Sequence, residues 1–164
     1  MTRNLMLTNG MVAIIDTQDF YACFKYWPWH LGSGRYARAT VDGRRKSLTY
    51  IYLHQFIAER MGLNGQIDHR DRDKLNNQRE NLRIATDSQN NTNIATRSDN
   101  TSGFKGVSWD RARSKWVVRI TTNTGYKSIG GFDCKITAAR AYNEAAKKAF
   151  GEFAYLNIIP EETK

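Results

Sequence analysis

The chain has 164 residues, 40% of them hydrophobic, which suits one ordinary domain or two small ones with modest cores. No run of about twenty apolar residues occurs, and the opening MTRNLMLTNGMVAIID lacks the charged, apolar and small-residue regions of a secretory signal, so the expectation is a cytoplasmic protein without a membrane partner. The net charge of +9 makes nucleic acid the leading partner, because each phosphate neutralised by Lys or Arg releases condensed counterions.

The first segment, MVAIIDTQDFYACFKYWPWH, reads as a short strand, a turn at Asp16 and Thr17, a brief helix, and a strand beginning at Trp-Pro-Trp. RYARATVDGRRKSLTYIYLHQFIAERMG predicts a hairpin around Asp42-Gly43, then a helix from about Tyr52 to Arg60 stopped by Gly62. Arg35, Arg38, Arg44, Arg45 and Lys46 make that hairpin basic and able to touch phosphates. Gln66 to His69 is expected as a strand, Arg70 to Asn81 as a long polar loop, and Leu82 to Ala85 as a second strand. A helix follows from Thr86, where Thr86-Asp87-Ser88-Gln89 fits a capping box.

The polar stretch Ala95 to Gly103 marks a domain boundary. Beyond it, FKGVSW, KWVVRIT and YKSIGGF predict three strands with turns at Asp110 to Ser114 and Asn123 to Gly125. A last helix carries Ala138, Ala141, Tyr142, Ala145 and Ala149 at helical spacing, with Gly151 as its cap. Alternation in KWVVRIT puts Trp116, Val118 and Ile120 on the face against that helix, and Lys115, Val117, Arg119 and Thr121 on an exposed basic face. From Arg97 to Lys148, eleven Lys and Arg stand against four Asp and Glu, so this half holds seven of the nine net charges.

The chemistry concentrates in QIDHRDRDKLNNQRENLRIATDSQNNTN. Asp68 and His69 are adjacent at a strand end, where a bend would let both face one site, and Asn90 in the next helix can add an amide oxygen. One carboxylate and one amide oxygen, with the other positions left to water and phosphate, suit a hard cation such as Mg2+ or Mn2+. A neutral imidazole can take a proton from the attacking water, a combination that hydrolyses phosphodiesters. A lone Asp-His pair is more often an ordinary loop; the ordered set of His69, Asn81, Leu82, Arg83 and Asn90 before a capped helix favours the active site. An EF-hand reading from Asp71 fails, because Asn76 and Leu82 stand where Gly and Glu are needed. His54, on a helix with Phe56 and Ile57, reads as a packed histidine, and His30 has no role in sequence. Cys23 and Cys134 match no metal-knuckle spacing and read as reduced thiols, and the sequons at Asn90 and Asn100 carry no weight without secretion.

IDH, NNQRENLR and ATDSQNNTN, with LHQFI upstream, resemble the HNH endonucleases of the ββα-metal (His-Me finger) class, found in phage and intron homing enzymes, over roughly Leu53 to Asn93. The resemblance implies that Asp68 and Asn90 bind the metal, that His69 is the general base, and that Asn81 braces the loop and orients the histidine. The third letter of the motif is Asn90 rather than His, a variation found in the class. SGFKGVSW, KWVVRI, IGGFD, AARAYNEAA and FAYLN resemble the Apetala-2/ethylene-response-factor DNA-binding domain across Ser102 to Asn157. Carried over by position, the DNA-facing residues are Lys105, Ser108, Lys115, Arg119, Thr121, Tyr126 and Ser128, with Arg111 and Arg113 on the turn. Ser108 and Ser128 replace larger side chains of that pattern, Lys127 replaces an apolar one, and Trp109 is expected in the core.

The expected fold class is α+β: a ββα-metal nuclease domain at 1–96, a linker at 97–101, a three-stranded antiparallel sheet packed on one helix at 102–157, and a tail at 158–164. The expected function is a metal-dependent, homing-type DNA endonuclease in a bacterial or phage-infected cytoplasm, a monomer or weak dimer on double-stranded DNA. Its products would carry 5′-phosphate and 3′-hydroxyl ends. The rival is a non-catalytic, sequence-specific DNA-binding regulator. An RNA-binding protein is disfavoured because single-strand recognition usually shows aromatics on an open sheet face, and here Trp116 is assigned to the buried face and Val117, Arg119 and Thr121 to the exposed one.

Overall fold

The structure is a computed structural model, and it describes residues 1–42, 49–94, 96, 99–122 and 124–160. It mixes helices and sheets and divides into two compact units, Met1–Thr86 and Asp87–Lys164. Among the described residues no helix is long and apolar enough to cross a membrane.

The first unit begins with an antiparallel pair, β1 (Thr2–Met6) and β2 (Val12–Asp16). β1 is not foreseen in sequence, since TRNLM offers a single buried residue, Leu5, and draws its order from pairing. No turn separates β2 from α1 (Thr17–Cys23): Asp16 keeps extended backbone and the next residue is helical. β3 (His30–Leu31), β4 (Ala37–Asp42) and β5 (Thr49–Tyr52) form a second antiparallel sheet in the order β3-β4-β5. Gly43, Arg44, Arg45 and Lys46 lie outside the described residues. Arg38 stacks on Tyr50, its guanidinium carbon 3.9 Å from the ring centre. α2 (Leu53–Arg60) buries Leu53, Phe56 and Ile57 and ends before Gly62, which takes φ 74°.

Those side chains join Leu5, Leu7, Ile15 and the fully buried Trp29 in one core, where the Trp29 indole donates to the Cys23 carbonyl (2.9 Å). β6 (Ile67–His69) and β7 (Leu82–Ile84) pair antiparallel, with Leu82 also in that core.

In the second unit α3 (Asp87–Thr92) packs on the turn Gly151–Phe153, where the Thr92 hydroxyl donates to the Phe153 carbonyl (3.1 Å). The division at Thr86 and Asp87 thus falls ahead of the expected linker at 97–101. β8 (Val107–Asp110), β9 (Lys115–Thr122) and β10 (Gly125–Phe132) form an antiparallel sheet with β9 in the middle, and α4 (Lys135–Phe150) lies against it. Val107, Val118 and Ile120 pack against Ala138, Ala139, Tyr142 and Ala146, since small residues let the helix approach closely. Asn157 locks the chain's return: its side chain exchanges bonds with the Lys105 backbone (2.7 and 3.1 Å), and its backbone does so with the Asn143 amide.

Two expectations need correction here. Val117 is 5% exposed rather than open, because on the middle strand between Ser108 and Gly131 a short side chain is shielded even on the outer face. Trp109 is 44% exposed rather than in the core: β8 is an edge strand, and the ring meets Trp116 edge-on at 5.1 Å.

Candidate active site and nucleic-acid interface

Two aspartates and two asparagines shape the polar loop between β6 and β7. The Asp71 carboxylate accepts from the Asp73 backbone N–H (2.8 Å) and from the amides of Asn76 (2.7 Å) and Asn81 (2.9 Å). Asp73 in turn accepts from the Leu75 N–H (3.0 Å). The Asn81 amide also donates to the Asn76 carbonyl (2.7 Å), and its oxygen accepts the Asp71 N–H (3.0 Å), so Asn81 spans the loop at its base. Such local side-chain bonds are what Asp and Asn offer a turn.

The loop is also tied to the first hairpin. Ile14 N–H donates to the Leu75 carbonyl (2.8 Å), and Asn77 N–H returns a bond to the Ile14 carbonyl (2.7 Å). Arg79 donates its backbone N–H to Asp16 (2.7 Å) and its guanidinium to the fully buried Asp19 (2.7 and 2.8 Å), which Arg60 reaches from α2 (2.8 Å). Desolvation alone would raise the Asp19 pKa; the bonds and charges of Arg79 and Arg60 outweigh it and hold the carboxyl below its ordinary range.

His69 closes β6 opposite Leu82 and is 4% exposed. The chain leaves the ladder at once: Arg72 takes φ 70° and donates its N–H to the His69 carbonyl (3.0 Å). The His69 Nε2 lies 3.3 Å from the Asn77 amide oxygen, while the Asn77 amide nitrogen points to the Lys74 carbonyl (3.4 Å). An amide oxygen only accepts, so Nε2 carries the proton in this bond and Nδ1 is left as the basic nitrogen. Burial lowers the His69 pKa, and the Asn77 bond and the charges of Asp71, Asp68 and Asp73 offset only part of that. A neutral imidazole is therefore the resting state near pH 7. Asn77, 1% exposed, is a functional candidate that sequence reasoning missed; a buried Asn inside a charged loop was its only trace.

Asp68 sits directly across the hairpin from Arg83, whose Nε and Nη2 both donate to Oδ2 (2.9 and 2.7 Å), with both residues about 5–6% exposed. Arg83 is thus an ion-pair partner as well as a motif letter. Asn90 is carried by α3 in the second unit. Among the described residues no three His, Cys, Asp or Glu side chains gather into a metal-holding group.

In the second unit, strand register aligns Ser108, Arg119, Thr121, Tyr126 and Ser128 on the side of the sheet away from α4: Ser108 opposes Val117, Arg119 opposes Ser128, and Thr121 opposes Tyr126. Tyr126 is 61% exposed, so the face does carry an aromatic, with the Arg119 guanidinium carbon 5.9 Å from its ring centre. The Lys115 ammonium pairs with Asp133. Arg113 pairs with Asp110 on the exposed turn (3.4 Å), and Arg111 beside it is exposed. Lys105 points elsewhere: its ammonium donates to the Thr92 and Ile94 carbonyls (2.8 and 2.6 Å), a tie within the unit rather than a cation presented on the face.

The sequence matches the family described as HNH endonuclease over residues 52–92 and the AP2 domain over 102–152. An uncharacterized HNH endonuclease of Acanthamoeba polyphaga mimivirus is 31% identical over 151 residues, 92% of this chain and 77% of that protein. Protein 3.8 of Escherichia phage T7 is 34% identical over 88 residues, 54% of this chain and 72% of that protein. No solved structure matches. With a buried histidine at the end of β6, and a relative 31% identical over 92% of its length, this chain belongs to the HNH endonuclease family and carries an AP2 domain.

Proposed function

We propose that the protein is a homing-type DNA endonuclease, with a nuclease domain at 1–96 that cuts and an AP2 domain at 102–157 that holds duplex DNA. The observation that carries this reading is the buried His69 imidazole, with Nε2 3.3 Å from the Asn77 amide oxygen and its pKa lowered by burial. His69 takes a proton from water as that water's oxygen bonds to phosphorus, and the bond to the 3′ oxygen breaks, that oxygen taking a proton from solvent. The products are a 5′-phosphate and a 3′-hydroxyl. Asn81 acts at one remove, by bracing the loop that carries Asn77.

Asp68 and Asn90 would hold one divalent cation, Mg2+ or Mn2+. A carboxylate and an amide are hard oxygen donors of the right kind, and Arg83 already orients the carboxylate. Asn90 is assigned by its place in the motif. A bound ion supplies stabilisation of the negative charge that gathers on the phosphate. Arg119, Thr121, Tyr126, Ser108 and Ser128, with Lys115, Arg111 and Arg113 at the turn end, form the face that lies on DNA, contacting phosphates and base edges.

Nicking of supercoiled plasmid with and without Mg2+ tests the reading. Wild type is expected to nick only with the ion, and His69→Ala to lose at least about a hundredfold in rate, the lower range for a general base. If neither protein cuts while both shift duplex DNA on a gel, the chain is a DNA-binding protein without nuclease activity.

A further inference from the structure

Among the described residues, Nδ1 of His54 is the buried side-chain nitrogen or oxygen that meets no hydrogen-bond partner. His54 is 8% exposed in the first turn of α2, beside the core residues Leu53 and Ile57. A buried polar atom left without a partner is costly, and the contacts this ring does make are with the rings of Tyr36, Tyr52 and His69. The ring lies against the proposed base: the His54 and His69 centroids are 5.4 Å apart with planes at 70°. Tyr36 completes the group, 4.9 Å from His54 and 6.0 Å from His69, the latter at 40°. Lys74, from the loop that also carries Asn77, reaches over Tyr36 at 4.5 Å and donates to the Gly34 carbonyl (2.8 Å).

The bond to Asn77 acts on one atom of the imidazole, whereas ring contacts act on its plane. Two rings meeting it at different angles restrain the plane itself. We propose that His54 and Tyr36 are positioning residues, an aromatic bracket that holds the His69 ring so that Nδ1 keeps one direction. The proposal rests on His69 being the general base and adds to it how the base is aimed. Neither bracket residue touches the reacting atoms. The bracket acts through His69, so its loss slows the chemical step and leaves DNA affinity alone.

The test measures single-turnover nicking at saturating enzyme, the gel-shift Kd and the melting temperature for wild type, His54→Leu, His54→Phe, Tyr36→Leu and His69→Ala. Leu keeps bulk without a flat ring, and Phe keeps the ring without the nitrogens. His54→Leu is expected to lose about thirtyfold in the single-turnover constant, the scale of a misaimed catalytic group, with Kd unchanged. His54→Phe should recover to within about threefold of wild type, since orientation depends on ring shape. A merely structural role would lower the melting temperature and leave the rate of the folded protein intact. Tyr36 is half-buried, so Tyr36→Leu, with the same expected direction, reads the bracket even if His54→Leu does not fold. Folded Leu variants that cut at the wild-type rate overturn the bracket, and so does a Phe variant as slow as Leu. Nicking by His69→Ala at the wild-type rate overturns the base itself, and is distinguished by that one protein.

Discussion

Asn77 joins three parts of the first unit: its N–H reaches β2, its amide nitrogen the loop, and its amide oxygen the imidazole of His69. The motif assigns the orienting task to Asn81, four residues on, yet Asn81 faces Asp71 and Asn76, so the two asparagines divide the work. Because burial disfavours the imidazolium, the basic form of His69 persists below pH 6.5. The acid limb of the nicking rate against pH is accordingly expected at a midpoint under 6.5; a midpoint above it would count against His69 as the base. Asp19 is the second residue whose removal should be felt. Its carboxylate is fully buried, while Arg60 and Arg79 are 38% and 27% exposed, so water recovers part of the loss. Asp19→Ala is expected to cost about 2–4 kcal/mol, measured by urea unfolding. The depressed pKa sets the sign with pH: the contribution is complete above the unfolded value near 3.8 and is lost as pH falls through the lower folded value.

At the scale of elements, patterning predicts that β9 and α4 exist, because each is long enough to display a period, but the buried face of α4 is Ala138, Ala139, Tyr142 and Ala146, and Ala149 of the expected stripe is exposed. Gly106 is legible only in three dimensions. It takes φ 73°, and a Cβ there would lie 2.2 Å from the Tyr142 ring and 2.7 Å from the Arg119 carbonyl. Gly106→Ala is expected to destabilise the second unit by about 1–3 kcal/mol, read as faster hydrogen exchange over β8, β9 and β10. Short elements display little period, although the helix expected from Thr86 is present as α3. β1 exists because β2 pairs with it, and α3, six residues of Asp, Ser, Gln, Asn and Thr, has no apolar stripe of its own. The hydrogen bond from Thr92 to Phe153 ties it down instead.

At the scale of the whole molecule, seven of nine net charges fall between Arg97 and Lys148, so DNA affinity should fall steeply with salt. Arg119→Ala on the sheet face is expected to reduce the slope of log K against log salt by about one. Lys147→Ala, on α4 and paired with Glu144, should leave the slope unchanged. Fluorescence anisotropy over a salt series measures both. Equal changes in the two variants would mean that DNA is held by diffuse charge rather than by this face.

The sequence by itself determined the two family patterns, the basic balance of the second half, the α4-facing stripe of β9 and the presence of a histidine beside a carboxylate. These are properties of type, order and period, and they survive reading along one dimension. Only the tertiary structure decided that the polar loop hangs from β2, that Asp19 clamps Arg60 and Arg79, that Asn77 meets the imidazole and that Lys105 turns inward. Each of these depends on residues distant in the chain coming within 3.5 Å of one another, and a hydrogen bond of that reach leaves no periodic signature in the sequence.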